Sequence, residues 1–185
     1  MDRDLFTKHM GNIDLFSERE QWSEALDAAR QLRESLMEEP FPEPDQLCWP
    51  LYSELRALHA LDRWREVAQL VRSYARALSD VGPTNNAHAH TLAMEAAARL
   101  GMFDDFLKWA RLSLELRLID QDVASMQVTL QTARELLKLM ERLDLLPELI
   151  DHLYEIARDH HETELAELAR EWAGETRDSV TQHVL

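Results

Sequence analysis

Two pairs of closely spaced histidines are the first residues whose type could support chemistry. His88 and His90 stand in the segment "HAH", and His160 and His161 stand in "DHH". A zinc site needs three or four ligands that converge within about 2.3 Å of one point, whereas side chains one or two residues apart on a helix diverge. The sequence has neither an HExxH motif nor a cysteine pair. We therefore expect no metal site and no cofactor, and we assign these histidines to helix ends, where an imidazolium is favoured by the helix dipole.

Nucleophilic and phosphate-binding motifs are missing as well. The single cysteine, Cys48, excludes an internal disulfide and lies beside Trp49 and Pro50. A lone cysteine in an apolar setting is usually inert. The chain has no GxSxG segment, and its 4 glycines are too scattered to form a phosphate-binding loop. The sequence therefore predicts a protein that is not an enzyme.

The composition favours helices and a strongly acidic surface. Of the 185 residues, 45% are hydrophobic and 30% are charged, and only 4 Gly and 6 Pro occur, which is typical of an all-α fold. The formal net charge of −15 repels phosphate backbones and would attract a basic partner. No apolar run reaches the roughly 20 residues of a membrane span, and the first residues do not form a signal peptide. We expect a cytoplasmic protein that binds neither nucleic acid nor membranes.

A repeated apolar pattern indicates how the chain is organised. It becomes visible when the sequence is aligned on Trp22, Trp64, Phe103 and Leu146, which are separated by 42, 39 and 43 residues. Apolar side chains recur three, four and seven residues after each of these anchors: Ala25, Val67, Phe106 and Leu149; Leu26, Ala68, Leu107 and Ile150; Ala29, Val71, Ala110 and Leu153. These offsets follow one stripe of an α-helix, so each anchor opens an amphipathic helix.

Each anchor also closes a turn, so that the repeating unit is a helical hairpin. Proline and glycine segments such as "EEPFPEPDQ" and "SDVGPTNN" separate the units. The pattern predicts nine helices, over residues 3–17, 20–38, 44–61, 64–79, 84–100, 103–118, 121–143, 146–159 and 162–178. They form hairpins 3–38, 44–79, 84–118 and 121–159. Because one hairpin cannot bury its own stripe, we expect all of residues 1–185 to form one domain, a right-handed α-solenoid of four antiparallel hairpins with a C-terminal capping helix at 162–178.

The units resemble tetratricopeptide repeats. The segment "AARLGMFDDFLKWARLSLEL" (97–116) is similar to the central part of that motif, with small residues, Leu-Gly before the turn, an aromatic residue and two acids that open the second helix. The segment "GNIDLFSEREQWSEALDAARQL" (11–32) is similar as well. The observed period exceeds the family's usual period of about 34 residues. A generic α-solenoid or a compact bundle of hairpins fits the same pattern.

The resemblance implies that the first helix of each hairpin lines a groove that holds a peptide or a partner helix. Positions 15, 12, 8, 5 and 4 residues before each anchor would face this groove. For the last three hairpins, the resemblance implies these groove residues: Trp49, Tyr52, Arg56, His59, His88, Thr91, Arg99, Gln131, Arg134, Lys138 and Arg142. The same positions hold five basic side chains, Arg56, Arg99, Arg134, Lys138 and Arg142, with only Glu95 and Glu141 opposing them, although the chain as a whole is acidic. Arginine holds carboxylates by paired hydrogen bonds, which suits an acidic or C-terminal peptide.

Two interpretations of function remain open. The first is a non-enzymatic adaptor or scaffold that binds another protein through the groove. The second is an acidic immunity or regulatory protein that neutralises a basic partner by surface complementarity. An uncovered first hairpin also leaves self-association open.

Overall fold

The structure, a computed structural model, describes residues 1–38, 44–120, 122–159, 167, 169–171 and 173. Within these residues there is no β-strand, and the all-α fold is confirmed. The described part contains eight long α-helices: α1 (Arg3–Glu18), α2 (Trp22–Met37), α3 (Pro44–Ala60), α4 (Trp64–Leu78), α5 (Pro83–Arg99), α6 (Phe103–Ile119), α7 (Val123–Leu139) and α8 (Leu146–Asp159). Single 3₁₀ turns follow α4, at Ser79–Val81, and precede α8, at Leu143–Leu145.

The same backbone turn closes the first helix of every hairpin. One residue of each turn adopts a left-handed conformation: Glu20 (φ 57°), Asp62 (φ 56°), Gly101 (φ 67°) and Glu141 (φ 56°). The N–H of the next residue then bonds a carbonyl five residues back, as from Arg63 to Leu58 at 2.9 Å and from Met102 to Ala97 at 2.9 Å. This is the hydrogen bond of a Schellman motif, which satisfies carbonyls that the helix end leaves open.

The helices pack in the order expected of a solenoid. The first helices of the four hairpins, α1, α3, α5 and α7, lie side by side, and each contacts the next in the row. The second helices α2, α4 and α6 each pack against the first helix of the following hairpin as well as against their own partner. Consecutive hairpins therefore stack along one direction, and the predicted solenoid of helical hairpins is confirmed within the described residues.

One continuous hydrophobic core runs from α2 to α8, and α5 lies at its centre. This helix contacts α3, α4, α6 and α7, and Ala89, Ala93, Ala96 and Ala97 are fully buried. Small side chains let neighbouring helices approach α5 from several sides. A second, small cluster of Ile13, Ala29, Leu32 and Leu36 joins α1 to α2.

The fourth hairpin departs from the sequence alignment. Its left-handed residue, Glu141, lies two residues before Leu143, as Gly101 lies two before Phe103. Leu143 is half-buried like Phe103, whereas Leu146 is fully packed like Phe106. The structural anchor is therefore Leu143, 40 residues after Phe103, and the choice of Leu146 was wrong by three residues. The helix predicted over 121–143 ends at Leu139, and the turn at Glu141 is followed by a 3₁₀ turn at Leu143–Leu145 that separates it from α8.

The predicted capping helix at 162–178 lies mostly outside the described residues. Residues 167, 169–171 and 173 are helical. Ala169 is fully buried in the main core, and Ala173 packs against it. The side chain of Arg170 donates a hydrogen bond of 2.8 Å to the hydroxyl of Tyr154 on α8. These residues therefore lie against the last hairpin.

Candidate functional site

The structure brings six of the predicted groove residues together on two neighbouring helices. We define the α3–α5 face as Trp49, Tyr52, Arg56 and His59 of α3 together with His88, Glu95 and Arg99 of α5. These side chains meet because α3 and α5 are stacked first helices, so that equivalent positions of successive hairpins become neighbours. Trp49 and Tyr52 make an edge-to-face contact with ring centroids 6.5 Å apart. The guanidinium of Arg56 lies 6.0 Å from the centre of the Tyr52 ring.

A hydrogen bond between Tyr52 and His88 joins the two helices. The tyrosine hydroxyl and Nδ1 of His88 are 2.7 Å apart. Burial, together with Arg56 and Arg117, lowers the pKa of His88, while burial raises the pKa of Tyr52. The imidazole is therefore neutral and the phenol protonated at neutral pH, and the tautomer of His88 sets which of the two groups donates this hydrogen bond.

The other end of the face holds a histidine–carboxylate hydrogen bond and a cation over a ring. Nε2 of His59 lies 2.6 Å from a carboxylate oxygen of Glu95. The His59 ring also packs edge-to-face on Trp64, at the start of α4, with centroids 5.1 Å apart. Arg99 lies 5.8 Å from the centre of the same indole, a cation–π geometry. Two arginines of the face, Arg56 and Arg99, are exposed.

Sequence analysis missed a further cation beside this face, Arg117 near the end of α6. Its side chain is only 11% exposed, and its ion pair with Asp122 spans 3.7 Å. Burial lowers its pKa, against the opposing effect of Asp122, Asp120 and Tyr52. Its Nε is buried and has no hydrogen-bond partner within the described residues. Arg117 lies on a second helix, outside the groove positions of the resemblance, and its place within the apolar run "LELRLI" was a usable signal.

The remaining predicted groove residues lie elsewhere. Thr91 donates to the backbone carbonyl of Ala87 at 3.1 Å and contacts the hydroxyl of Ser113 at 3.0 Å, so it joins α5 to α6. Arg142 was placed on the first helix by the shifted alignment, and this placement is wrong, since it lies beyond the end of α7. There it pairs with Asp144 at 2.9 Å and covers the Phe103 ring at 4.5 Å.

The three predicted residues on α7 are exposed but are not joined to the α3–α5 face. Gln131 bonds Glu135 on its own helix at 3.1 Å. Arg134 and Lys138 make no ion pair with any carboxylate in the described part of the chain. When the alignment is corrected to Leu143, Gln131 and Lys138 remain at groove positions, 12 and 5 residues before the anchor. Arg134 does not, which is a second consequence of the three-residue error.

The histidines that first suggested a metal site have separate environments. His90 is buried and stacks on Trp109, with ring centroids 5.3 Å apart. His88 belongs to the α3–α5 face, and His160 and His161 lie outside the described residues. Among those that are described, no group of three or more His, Cys, Asp or Glu side chains is arranged to hold a metal ion.

The described helices include none that is both long and apolar enough to cross a membrane. No protein-family model, curated protein or solved structure matches this chain.

Proposed function

We propose that this protein is a protein–protein interaction module that holds an acidic segment of a partner against the α3–α5 face. The observation that carries the proposal is the charge of this face. The face contains two arginines, Arg56 and Arg99, and one carboxylate, Glu95, in a chain whose net charge is −15. Such a local excess of arginine attracts carboxylates.

The face also carries the other features of a peptide-binding surface. Trp49 and Trp64 are partly exposed aromatic side chains at its two ends, and aromatic residues and arginines dominate the energetics of protein interfaces. Tyr52 and His88 fix each other by their hydrogen bond, so that the middle of the face is ordered before a partner arrives. We infer that arginines hold carboxylates of the partner while the indoles contact its apolar groups.

The resemblance to tetratricopeptide repeats supports the same function. We propose that the hairpins are long-period members of this class, because their first helices stack in a row and half-buried residues open their second helices. The alternative, an acidic immunity or regulatory protein that caps a basic partner, is favoured by the net charge alone. Binding through that acidic surface would weaken steeply with salt and would not depend on Arg56 or Arg99.

A peptide-display selection tests the proposal. Random peptides, with free or amidated C-termini, are selected on the intact protein and then titrated by fluorescence anisotropy. We expect enrichment of Asp and Glu, and a loss of affinity of about tenfold or more in the double variant Arg56→Glu/Arg99→Glu, since each charged hydrogen bond contributes about 1.5–3 kcal/mol.

The matched control is Arg65→Glu/Arg76→Glu, which makes the same change of charge at two exposed positions of α4. It should bind the selected peptides as the wild type does. Enrichment of basic peptides, or equal losses in both double variants, would contradict docking on the α3–α5 face. Circular dichroism and thermal unfolding establish that each variant is folded.

A further inference from the structure

A cavity on another side of α3 has its own chemistry, which the proposed function does not use. It has a volume of about 270 Å³ and lies between α2, α3 and α4. At roughly 30 Å³ per water molecule in the liquid, this volume equals about nine waters, which is room for a small organic molecule. The lining residues are Arg30, Arg33, Glu54, Leu58, Glu66, Gln69, Leu70, Ser73 and Tyr74.

One wall of this cavity is a network of arginines and glutamates. Glu54 is 3% exposed, and its two carboxylate oxygens accept hydrogen bonds from Nε of Arg30 and Nε of Arg33, each at 2.9 Å. Arg30 also donates to Glu66 at 2.8 Å, and Arg63 donates to the same carboxylate. The network contains three arginines and two buried or half-buried glutamates, of which Arg30, Arg33, Glu54 and Glu66 line the cavity.

Donors of this wall remain available to a ligand. Arg30 Nη1 has no hydrogen-bond partner within the described residues, since this side chain bonds only through Nε and Nη2. The terminal nitrogens of Arg33 have only long contacts, 3.7 Å to the sulfur of Met37 and 4.0 Å to the exposed carboxylate of Glu34. An oxyanion that replaced these contacts would gain charge-assisted hydrogen bonds.

The lining of the cavity also includes apolar groups. Leu58 and Leu70 are buried, and the ring of Tyr74 lies beside Arg33, whose guanidinium is 5.8 Å from the ring centre. Tyr74 also interrupts α4, with non-helical angles of φ −125° and ψ 20°. The cavity therefore combines cationic donors with hydrocarbon surface.

We propose that this cavity binds a small organic carboxylate. Its carboxylate would contact Arg30 and Arg33, and its hydrocarbon part would pack on Leu58, Leu70 and Tyr74. Ligand sites of this kind combine an apolar lining with a few convergent polar groups. An inorganic anion would contact only the arginines, and a neutral aromatic molecule would contact only the apolar side chains.

Three probes separate these contributions: sodium benzoate, sodium phosphate and benzyl alcohol. Each is titrated into the full chain by calorimetry, with amide NMR spectra to locate the shifts. We expect benzoate to bind one site, with the shifts centred on α2 and α4, and about tenfold or more tighter than either other probe. Phosphate binding as tight as benzoate would overturn the hydrocarbon half of the proposal, and absence of benzoate binding would overturn all of it.

Two variants test whether benzoate binds in this cavity. Arg33→Gln should remove benzoate binding, although it also disturbs the network. Ser73→Trp is the safer variant, because Ser73 is an exposed residue at the rim and the indole would block the cavity while it leaves every arginine in place. Ala75→Trp, at an exposed position of the same helix outside the cavity, is its matched control. Benzoate binding that survives in Ser73→Trp would contradict the proposal. Neither outcome affects the peptide selection on the α3–α5 face.

Discussion

At the scale of single residues, His90 is the clearest source of pH dependence. It is buried on α5 against Trp109, and its Nδ1 has no hydrogen-bond partner in the described part of the chain. Burial, with a smaller effect of Lys108, lowers its pKa from 6.5 to about 4. Between these two values the unfolded chain binds more protons than the folded one. The free energy of unfolding therefore falls as the pH decreases from about 6.5 towards 4.

We expect His90→Gln to remove most of this dependence. For the wild type, the pKa change corresponds to a loss of about 2 kcal/mol between pH 7 and pH 5, and glutamine does not titrate there. Urea unfolding of both proteins at the two pH values measures the difference. His9→Gln, a change at an exposed position of α1, is the control and should retain the wild-type pH dependence. An unchanged dependence in His90→Gln would assign the effect to other groups.

Glu54 is a second residue with a predictable effect, because its charge is buried between two arginines. We expect Glu54→Gln to lower the free energy of unfolding by about 3 kcal/mol, since it leaves Arg30 and Arg33 without their shared carboxylate. Chemical unfolding in urea measures this loss. Glu34→Gln changes the same residue type where it is 67% exposed and 4.0 Å from Arg33. That control should change stability by less than about 1 kcal/mol, and equal effects in both variants would contradict the importance of burial.

At the scale of elements, substitution of the left-handed turn residues should change the stability of the protein. Glu20, Asp62 and Glu141 adopt a conformation that costs an L-residue about 1–2 kcal/mol, whereas Gly101 adopts it freely. We therefore expect Glu20→Gly and Glu141→Gly each to raise the free energy of unfolding by about 0.5–1 kcal/mol. Gly101→Ala should lower it by a similar amount. Asp27→Gly, at an exposed helical position of α2, should also be destabilising, and stabilisation there would refute the conformational argument.

These turns also show what the sequence could predict and what it could not. Apolar spacing located most helix ends within about two residues, because each helix buries one continuous stripe. The end of α7 was missed because the leucines of the 3₁₀ turn that follows Glu141 continue the helical spacing. In the third hairpin, Gly101 marks the end of the first helix in the sequence itself.

The candidate site was predictable to the extent that it follows the repeat. Tyr52 and His88 meet because they occupy nearby positions of stacked first helices, which the alignment already placed on one face. Arg117 and the network around Glu54 were not predicted. They join helices at positions that are not equivalent in the repeat, so no periodic pattern marks them. Contacts of this kind depend on how second helices approach first helices, which a sequence pattern does not determine.

At the scale of the whole molecule, stability should be distributed unevenly along the solenoid. Ile13 is the one buried residue of α1, and it belongs to the small cluster with α2 rather than to the main core. We expect the amides of α1 to exchange with solvent faster than those of α5. Ile13→Ala should accelerate exchange in α1 by about tenfold or more and leave α5 unchanged, since it removes about 2 kcal/mol or more of packing.

Mass-spectrometric hydrogen exchange resolves these helices. Leu114→Ala, in the main core, provides the contrast because it should accelerate exchange throughout α5 and α6. If Ile13→Ala accelerated exchange equally in all helices, the molecule would unfold as a single cooperative unit instead.

The alanines of α5 have a consequence for the kinetics of recognition. Because the back of this helix is packed against four others with fully buried methyl groups, His88, Glu95 and Arg99 are carried by a support that has little room to shift. A ligand that binds there would meet side chains that already have their bound positions, so ordering the protein surface would cost little conformational entropy. Ligands of different affinity should then have similar association rate constants and differ mainly in their dissociation rate constants.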